Sequence, residues 1–245
     1  MIEIRSASKS FSGKTVLQNV SIKSELMTNT VILGKNGSGK SVLLKIAAGL
    51  LTPDSGEVYF DGEKISPEDY FRANKLSIGY VFQKGGLFDS MNLYDNVAFP
   101  LRRKGVDEDE IRDVVLDNLR RVGLEGAEEK FPTELSGGMQ KRAGIARVLS
   151  LKPKVILYDD PAAGLDPVLT DSIADLILEI RETEKTTSLI VTHDMKFAEK
   201  IADKIVLLNS SQIVFYGGKN SFFSLENPFA HQFVKGEIEG PIECQ

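Results

Sequence analysis

Gly34-Lys35-Asn36-Gly37-Ser38-Gly39-Lys40-Ser41 fits the phosphate-binding pattern G-x-x-x-x-G-K-[ST], and it stands between strand-like and helix-like sequence. The apolar run Val31 to Leu33 precedes it, and the apolar residues after Lys40 recur at helical spacing. Glycine lets backbone N–H groups converge on an anion that a β-carbon would hold away, and the helix start adds the positive end of its dipole. We therefore predict a loop that cradles nucleotide phosphates, with Lys40 bridging the terminal phosphates and Ser41 binding Mg²⁺.

A pair of carboxylates follows the strand-like run Val155 to Tyr158. Ligands of open α/β sheets bind at the carboxyl ends of the strands, which is where Asp159 and Asp160 fall. Asp159 suits the role of a Mg²⁺ ligand, and Asp160 suits the orientation or deprotonation of an attacking water. Taken alone, two aspartates before Pro161 are equally typical of a turn. The phosphate-binding loop favours the functional interpretation, because a bound nucleotide requires an acid to hold its metal.

Ser136, Gly137 and Gly138 form a second candidate anion site, since a serine N-cap and two bare glycine amides begin a helix here. Taken alone, this is an ordinary helix cap. One nucleotide cannot need both this helix start and the loop at Gly34 unless two chains share nucleotides, each presenting its loop to one and its helix start to the other. The sequence therefore predicts a second copy of the chain as a partner.

The composition of the chain excludes several other classes of protein. The 245 residues are 42% hydrophobic and 27% charged, which is typical of a soluble globular protein. The net charge of −5 offers no broad basic surface, so we expect no nucleic-acid partner. Cys244 is the only cysteine, which excludes an internal disulfide framework and a cysteine-rich zinc site. We see no signal peptide and no apolar run approaching the roughly 18 residues of a spanning helix, so any membrane role requires a partner.

The apolar patterning indicates an α/β protein. Short apolar clusters separated by turn residues, among them Asp61-Gly62, predict an antiparallel β portion up to residue 60. The last third alternates buried strands with helices, which indicates a parallel sheet. Between them, an aromatic-rich segment is expected to stop at Pro100, a helix is expected from Asp107 to Gly123, and another is expected to start at Ser136.

These motifs, in this order, resemble the ATP-binding-cassette (ABC) ATPases over nearly the whole chain. Leu135 to Gln140 is similar to the family signature LSGGQ with one inserted methionine. Four further residues match family motifs by their position: Gln83 the Q-loop glutamine, Asp166 in Gly164-Leu165-Asp166 the D-loop aspartate, His193 the switch histidine, and Phe11 the aromatic residue that stacks on adenine. Taken alone, Gln83 would be an exposed polar residue, His193 a loop or core histidine, and Phe11 a core residue.

The resemblance implies a P-loop NTPase fold with a RecA-like parallel-sheet core, an N-terminal antiparallel β subdomain and an inserted α-helical subdomain at about 86–152. It implies one domain over residues 1–235, with 236–245 as a tail. It also implies ATP and Mg²⁺ as cofactors, with the metal held by Ser41, Gln83 and Asp159, and with Asp160, His193 and Gln83 in catalysis. Such ATPases dimerise head to tail around ATP and drive integral membrane permease subunits.

The chain departs from the family pattern at Asp160, where the family usually has glutamate. The carboxylate of aspartate sits one methylene closer to the backbone, and a displacement of about 1 Å in a catalytic group costs roughly a hundredfold in rate. We therefore expect intact ATP binding and slow hydrolysis.

Further stretches are similar to the ATPases of Mla-type phospholipid transporters, which work with a permease and a lipid-binding MCE-domain protein. The stretches are Gly39 to Lys45, Gly86 to Arg102, Met139 to Arg142 and Gln232 to Gly236. This resemblance implies transport of phospholipids between membranes, a location on the cytoplasmic face of the inner membrane through the permease, and permease contacts at Leu87, Phe88, Met91 and Tyr94.

Three alternatives stay open at the level of sequence. The first is the ATPase of a polar amino-acid importer, which shares the core motifs. The second is a soluble ABC ATPase acting on DNA or ribosomes, against which the single cassette, the lack of sustained heptads and the net charge all argue. The third is a nucleotide-binding module that never hydrolyses, which Asp160 leaves possible. No residue of the cassette encodes the cargo.

Overall fold

The computed structural model describes residues 1–66, 77–224, 226–237 and 239–242. The chain divides into two compact units, one made of Met1–Leu76 with Thr187–Gln245 and the other of Ser77–Thr186. The strands are β1 (Ile2–Phe11), β2 (Lys14–Lys23), β3 (Asn29–Leu33), β4 (Ser55–Phe60), β5 (Glu63–Lys64), β6 (Ile78–Val81), β7 (Val155–Asp159), β8 (Thr187–Val191), β9 (Lys204–Asn209) and β10 (Gln212–Gly218). The helices are α1 (Lys40–Ala47), α2 (Leu93–Arg103), α3 (Glu108–Arg121), α4 (Gly137–Leu149), α5 (Pro167–Glu184), α6 (Met195–Ile201), α7 (Lys219–Phe223) and α8 (Pro228–Lys235), with a 3-10 turn at Pro132–Glu134. None of the helices described here is long and apolar enough to cross a membrane.

The first unit contains the antiparallel sheet expected near the N-terminus, with strand order β2-β1-β4-β5. The hairpin between β4 and β5 turns at Asp61-Gly62, where φ is +49° and +87°. Two successive residues at positive φ are what a two-residue hairpin with the right-handed strand twist requires, and Asp-Gly is suited to both positions. The antiparallel prediction is confirmed.

The first unit also contains the parallel strands that lead to the phosphate-binding loop. β3 lies between β8 and β9 and runs parallel to both, so that Val31 pairs with Ile190 on one side and with Ile205 on the other. All residues of β3 and β8 are buried, which explains their continuous apolar runs. β10 pairs antiparallel with β9 at the edge and was not predicted, because its partly exposed sequence ends in Gly217-Gly218 and lacks a buried run.

The second unit contains the parallel pair β6 and β7 and the helices α2, α3 and α4, which pack on one another. α3 begins at its N-cap Asp107, carries acidic residues in its first turn and ends with Arg120 and Arg121, as the sequence predicts from the helix dipole. Its apolar face buries Ile111, Val115 and Leu119. The helix expected after Ser136 is α4, which begins at Gly137.

The prediction that the aromatic-rich segment stops at Pro100 is wrong, because α2 continues through the proline to Arg103. A proline inside a helix removes one backbone hydrogen bond and crowds the carbonyl of residue i−4, here Asn96. α2 tolerates this cost because it buries apolar residues on both sides of the proline, Val97 before it and Leu101 after it.

The described C-terminal residues are anchored by a buried side chain. Gln232 of α8 accepts a hydrogen bond from the Ile242 backbone N–H at 2.6 Å and donates one to the Ile242 carbonyl at 2.9 Å. Ile242 is itself buried, although it belongs to the stretch predicted as a tail. Cys244 lies outside the described residues. The proposed boundaries of a single domain at 1–235 and of a helical subdomain at about 86–152 stay predictions.

Candidate functional site

The phosphate-binding loop joins β3 to α1 in the first unit and is shaped by Lys40. The Lys40 Nζ donates hydrogen bonds to the carbonyls of Gly34 and Lys35, both at 2.9 Å, so the side chain is folded back along its own loop. Gly39 is the N-cap of α1 with φ of +100°, and a β-carbon there would lie 2.7 Å from the Val16 carbonyl oxygen. Glycine is therefore required at the point where the loop turns into the helix.

The same loop fits a bound phosphate group. A β-carbon on Gly37 would meet no protein atom within 4 Å, so the backbone there faces open space. The Ser38 hydroxyl is buried and has no hydrogen-bond partner among the described residues, although buried polar groups are normally paired. An anion placed at the start of α1 would supply acceptors for the Ser38 hydroxyl, the loop amides and Lys40.

His193 and Phe11 belong to the same unit as the loop. His193 is exposed and comes just after β8, and the Thr192 N–H donates to the Ile32 carbonyl of β3 at 3.3 Å. Because β3 and β8 are parallel, His193 and the phosphate-binding loop leave the sheet at the same edge. Phe11 ends β1 in the antiparallel sheet, is 43% exposed, and has the Lys9 ammonium 5.6 Å from its ring centroid. An exposed ring at this position agrees better with a stacking surface than with a core residue.

Asp159 and Gln83 lie at the carboxyl ends of β7 and β6 in the second unit. The Asp159 side chain is only 8% exposed, and its Oδ2 accepts a hydrogen bond from the Tyr80 hydroxyl at 2.8 Å. Burial, reinforced by the charge of Asp159, raises the pKa of Tyr80, which keeps the hydroxyl protonated as a donor. Gln83 is exposed, two residues beyond the end of β6.

Asp160 follows with its backbone in the left-handed region, at φ of +49°, and is partly exposed. Lys141 of α4 donates from Nζ to the carbonyl of Gln83 at 2.9 Å and to the carbonyl of Asp160 at 3.4 Å. Burial lowers the pKa of Lys141, and the charge of Asp160 opposes that shift. One buried side chain thus links the backbones of two predicted catalytic residues.

Ser136 and Asp166 both serve as helix caps in the second unit. The Ser136 Oγ accepts from the Met139 N–H at 3.3 Å at the start of α4, and the Asp166 Oδ1 accepts from the N–H groups of Val168 and Leu169 at 2.9 Å at the start of α5. Gly137 is exposed, whereas Gly138 is buried and faces the Leu169 side chain. Ser136 and Asp166 therefore act as ordinary helix caps. Their further role in nucleotide binding stays a prediction.

The structure thus brings the predicted residues into two groups. The first unit holds residues 34–41 with His193 at one sheet edge and Phe11 in its other sheet, and the second holds Gln83, Asp159, Asp160, Ser136 and Asp166. Within the described part of the chain, no group of three or more His, Cys, Asp or Glu side chains could hold a metal ion by itself. The Mg²⁺ site expected from Ser41, Gln83 and Asp159 stays a prediction, and it does not require such a group, because Mg²⁺ takes one or two carboxylates together with substrate phosphates.

Sequence reasoning missed Tyr80 and Lys141. The signal for Tyr80 was the period of a strand, because residues 78 and 80 share one face of β6. The signal for Lys141 was a lysine on the otherwise buried face of the helix that begins at the signature.

Comparisons with known proteins show the family to which the chain belongs. A family model described as ABC transporter matches residues 17–163, more than half of the chain. The "Probable ribonucleotide transport ATP-binding protein mkl" of Mycobacterium leprae is 42% identical over 245 residues, covering 98% of this chain and 70% of that protein. The "Intermembrane phospholipid transport system ATP-binding protein MlaF" of Haemophilus influenzae is 35% identical over 246 residues, covering 99% of this chain and 93% of that protein.

Among solved structures, the ATP-binding cassette MJ0796, as a dimer in a post-hydrolysis state bound to ADP and Pi, aligns with a TM-score of 0.81. It is 30% identical and covers 89% of this chain and 99% of that chain. The predicted P-loop fold of the ABC ATPases, with its antiparallel sheet, parallel strands and helical insertion, is confirmed. The chain belongs to the ABC transporter family, as an ATP-binding subunit with ATPase activity.

Proposed function

We propose that this chain powers the movement of phospholipids between membranes, as the ATPase of an Mla-type transporter. The observation that carries the proposal is the similarity over 99% of the chain to a protein named as the ATP-binding protein of an intermembrane phospholipid transport system. The chain would sit on the cytoplasmic face of the inner membrane, held there by integral membrane permease subunits, with an MCE-domain lipid-binding protein in the same complex.

The site residues divide the work of ATP binding. Residues 34–41 bind the phosphates, Phe11 stacks on adenine, and Ser136 to Gly138 with Asp166 bind the nucleotide held by the partner chain. Ser41, Gln83 and Asp159 would hold Mg²⁺, and the bound metal would neutralise charge on the phosphates.

Hydrolysis would rest on a second group of side chains. Asp160 takes the proton of the attacking water, and Gln83 and His193 orient that water and the terminal phosphate. ATP favours the closed dimer by bridging Lys40 of one protomer and Ser136 of its partner, and loss of the terminal phosphate opens it.

A groove in the second unit suits the permease contact. It has a volume of about 500 Å³ and is lined mainly by apolar side chains of β6, of α2, of the segment between them and of α4, with Phe82 41% exposed and Phe88 42% exposed. Asn96 fixes the position of Phe88 by accepting from its N–H at 2.7 Å and donating to its carbonyl at 3.1 Å. Because this aromatic surface is already ordered, an apolar helix can bind to it without the loss of conformational entropy that ordering a mobile surface would cost.

Arg147 gives the groove its charge. Its guanidinium donates to the Gly86 carbonyl at 2.6 Å and lies 5.7 Å from the Phe88 ring centroid, and burial lowers its pKa. It makes no ion pair with any described residue. The groove therefore suits a permease helix that carries an acidic side chain among apolar ones. Of the predicted contact residues, Phe88 lines this groove, whereas Leu87, Met91 and Tyr94 are half-buried.

A second cargo is favoured by one observation. The relative at 42% identity bears a name for ribonucleotide transport, so a ribonucleotide permease is the competing partner. The polar amino-acid importer has no such support from the named relatives.

The test is to tag the chain, extract it in mild detergent from the membranes of its own host, and identify the proteins and lipids that accompany it. We expect a permease, an MCE-domain protein and bound phospholipid. Phe88→Asp should release the permease, whereas Phe131→Asp, at a residue of nearly the same exposure (43%), should retain it. A nucleotide or amino-acid permease, or nucleic acid without a membrane protein, would overturn the phospholipid proposal and leave the ATPase assignment standing.

A further inference from the structure

Tyr80 stands between the groove and the carboxylate of Asp159. Its hydroxyl donates to Asp159 Oδ2 at 2.8 Å, and its ring centroid lies 4.6 Å from that of Phe82 with the planes inclined by 51°. Tyr80 also lines the groove described above. One side chain thus contacts both a surface open to partners and a buried acidic group.

The pairing of β6 with β7 fixes this geometry. The two strands are parallel, and Tyr80 is in register with Leu157, which places Asp159 two residues further along on the same face. The Tyr80 hydroxyl extends along the sheet to reach Asp159, which is 8% exposed and so has little access to water that could replace the hydroxyl. Since a buried carboxylate can adopt only orientations in which its oxygens are satisfied, the hydroxyl restricts how the Asp159 side chain points.

We propose that Tyr80 is a positioning residue for Asp159, holding this carboxylate in the orientation in which it binds the metal of the nucleotide. The inference rests on the proposed role of Asp159 as a Mg²⁺ ligand. Outer partners of metal-binding side chains typically account for about 10- to 100-fold in metal affinity or activity. Because the same ring lines the groove, a helix seated there contacts the residue that orients the metal ligand.

The test measures how much Mg²⁺ strengthens nucleotide binding. A fluorescent ATP analogue is titrated into the full-length protein in Mg²⁺ and again in EDTA, and the ratio of the two affinities isolates the contribution of the metal. Tyr80→Phe removes only the hydroxyl. We expect it to leave the affinity in EDTA unchanged and to reduce the ratio by about tenfold. Asp159→Asn is the reference in which the ratio collapses.

Tyr158→Phe is the matched control. Tyr158 is the neighbour of Asp159 in β7, and its buried hydroxyl has no hydrogen-bond partner among the described residues, so its removal should not change the ratio. If Tyr80→Phe weakened binding equally in Mg²⁺ and in EDTA, the role of Tyr80 would be merely structural, and the inference would be overturned. It would also be overturned by a wild-type ratio in Tyr80→Phe beside a collapsed ratio in Asp159→Asn, which leaves the proposed function intact. An unchanged ratio in Asp159→Asn would overturn both the assignment of Asp159 and this inference.

Discussion

Asp160 is subject to two opposing demands, one from the backbone and one from catalysis. Its φ of +49° lies in the left-handed region, which aspartate and asparagine enter more readily than longer side chains. Local conformation therefore favours aspartate at this position. The resemblance to the ABC ATPases favours glutamate, because the longer side chain carries the carboxylate further from the backbone towards the attacking water.

Replacing Asp160 with glutamate is expected to raise the rate of ATP hydrolysis. The added methylene moves the carboxylate by about 1 Å, and misplacement on that scale costs up to roughly a hundredfold. We expect kcat to increase by about tenfold, at unchanged ATP affinity. The increase is smaller than a hundredfold because glutamate fits the left-handed φ of residue 160 less well than aspartate does. Phosphate release under steady-state conditions measures it. The control is Asp160→Asn, which should bind ATP and not hydrolyse it. A lower kcat in Asp160→Glu would contradict the argument from side-chain length.

At the scale of single elements, α4 links three parts of the site. Its N-cap is Ser136, and Lys141, less than two turns later, holds the carbonyls of Gln83 and Asp160. A change at the start of α4 is therefore expected to affect activity as well as stability. The N-cap of α3, Asp107, provides a comparison, since its Oδ1 accepts from the Asp109 N–H at 3.0 Å and it belongs to no predicted site.

Ser136→Ala and Asp107→Ala should differ in activity and agree in stability. Each removes an N-cap hydrogen bond, which costs about 1 kcal/mol, or about 2–4 °C in Tm for a chain of this size. Only Ser136→Ala should abolish ATP hydrolysis, because Ser136 is proposed to bind the partner's nucleotide. Thermal unfolding and phosphate release on the same samples measure both effects. An equal loss of activity in the two variants would reduce the role of Ser136 to helix capping.

The elements also mark where reasoning from sequence succeeds. The strand, loop and helix around residues 34–41 were predictable because the pattern of a phosphate-binding loop requires glycine at fixed spacing between a strand and a helix, and all of these features can be read from the local sequence. The strand ending in Asp159 and the cap at Ser136 were predictable for the same reason. α2 was predicted to stop at Pro100 because the local cost of proline is visible, whereas the burial of Val97 and Leu101 that offsets it depends on packing.

Tyr80 and Lys141 escaped prediction for a related reason. Their roles depend on the pairing of β6 with β7 and on the approach of α4 to the Gln83 loop, and neither arrangement is encoded within a single segment. Motifs specify the groups that meet a ligand. The groups that hold those motifs in place are specified by tertiary contacts, and these become visible only in the folded chain.

At the scale of the whole molecule, the question is whether nucleotides are shared between two chains. The chain carries a phosphate-binding loop and a separate helix start at Ser136, and the similar cassette MJ0796 is dimeric. If each nucleotide is held by Lys40 of one protomer and Ser136 of its partner, a defect in one site residue can be complemented by a chain with a defect in the other. If each chain binds its nucleotide alone, complementation is impossible.

We therefore expect a mixture of Lys40→Ala and Ser136→Ala chains to dimerise with ATP when neither variant does so by itself. In the mixed dimer both defects fall in one site, and the other site combines the intact Lys40 of one protomer with the intact Ser136 of its partner. Sedimentation velocity measures the dimer, with Asp160→Asn in every chain to prevent hydrolysis. The converse control mixes Asp160→Asn chains with chains that also carry both Lys40→Ala and Ser136→Ala, where every mixed dimer has one defect in each site and should dissociate. Mixed dimers in this control, together with none in the first mixture, would mean that each chain binds its nucleotide alone.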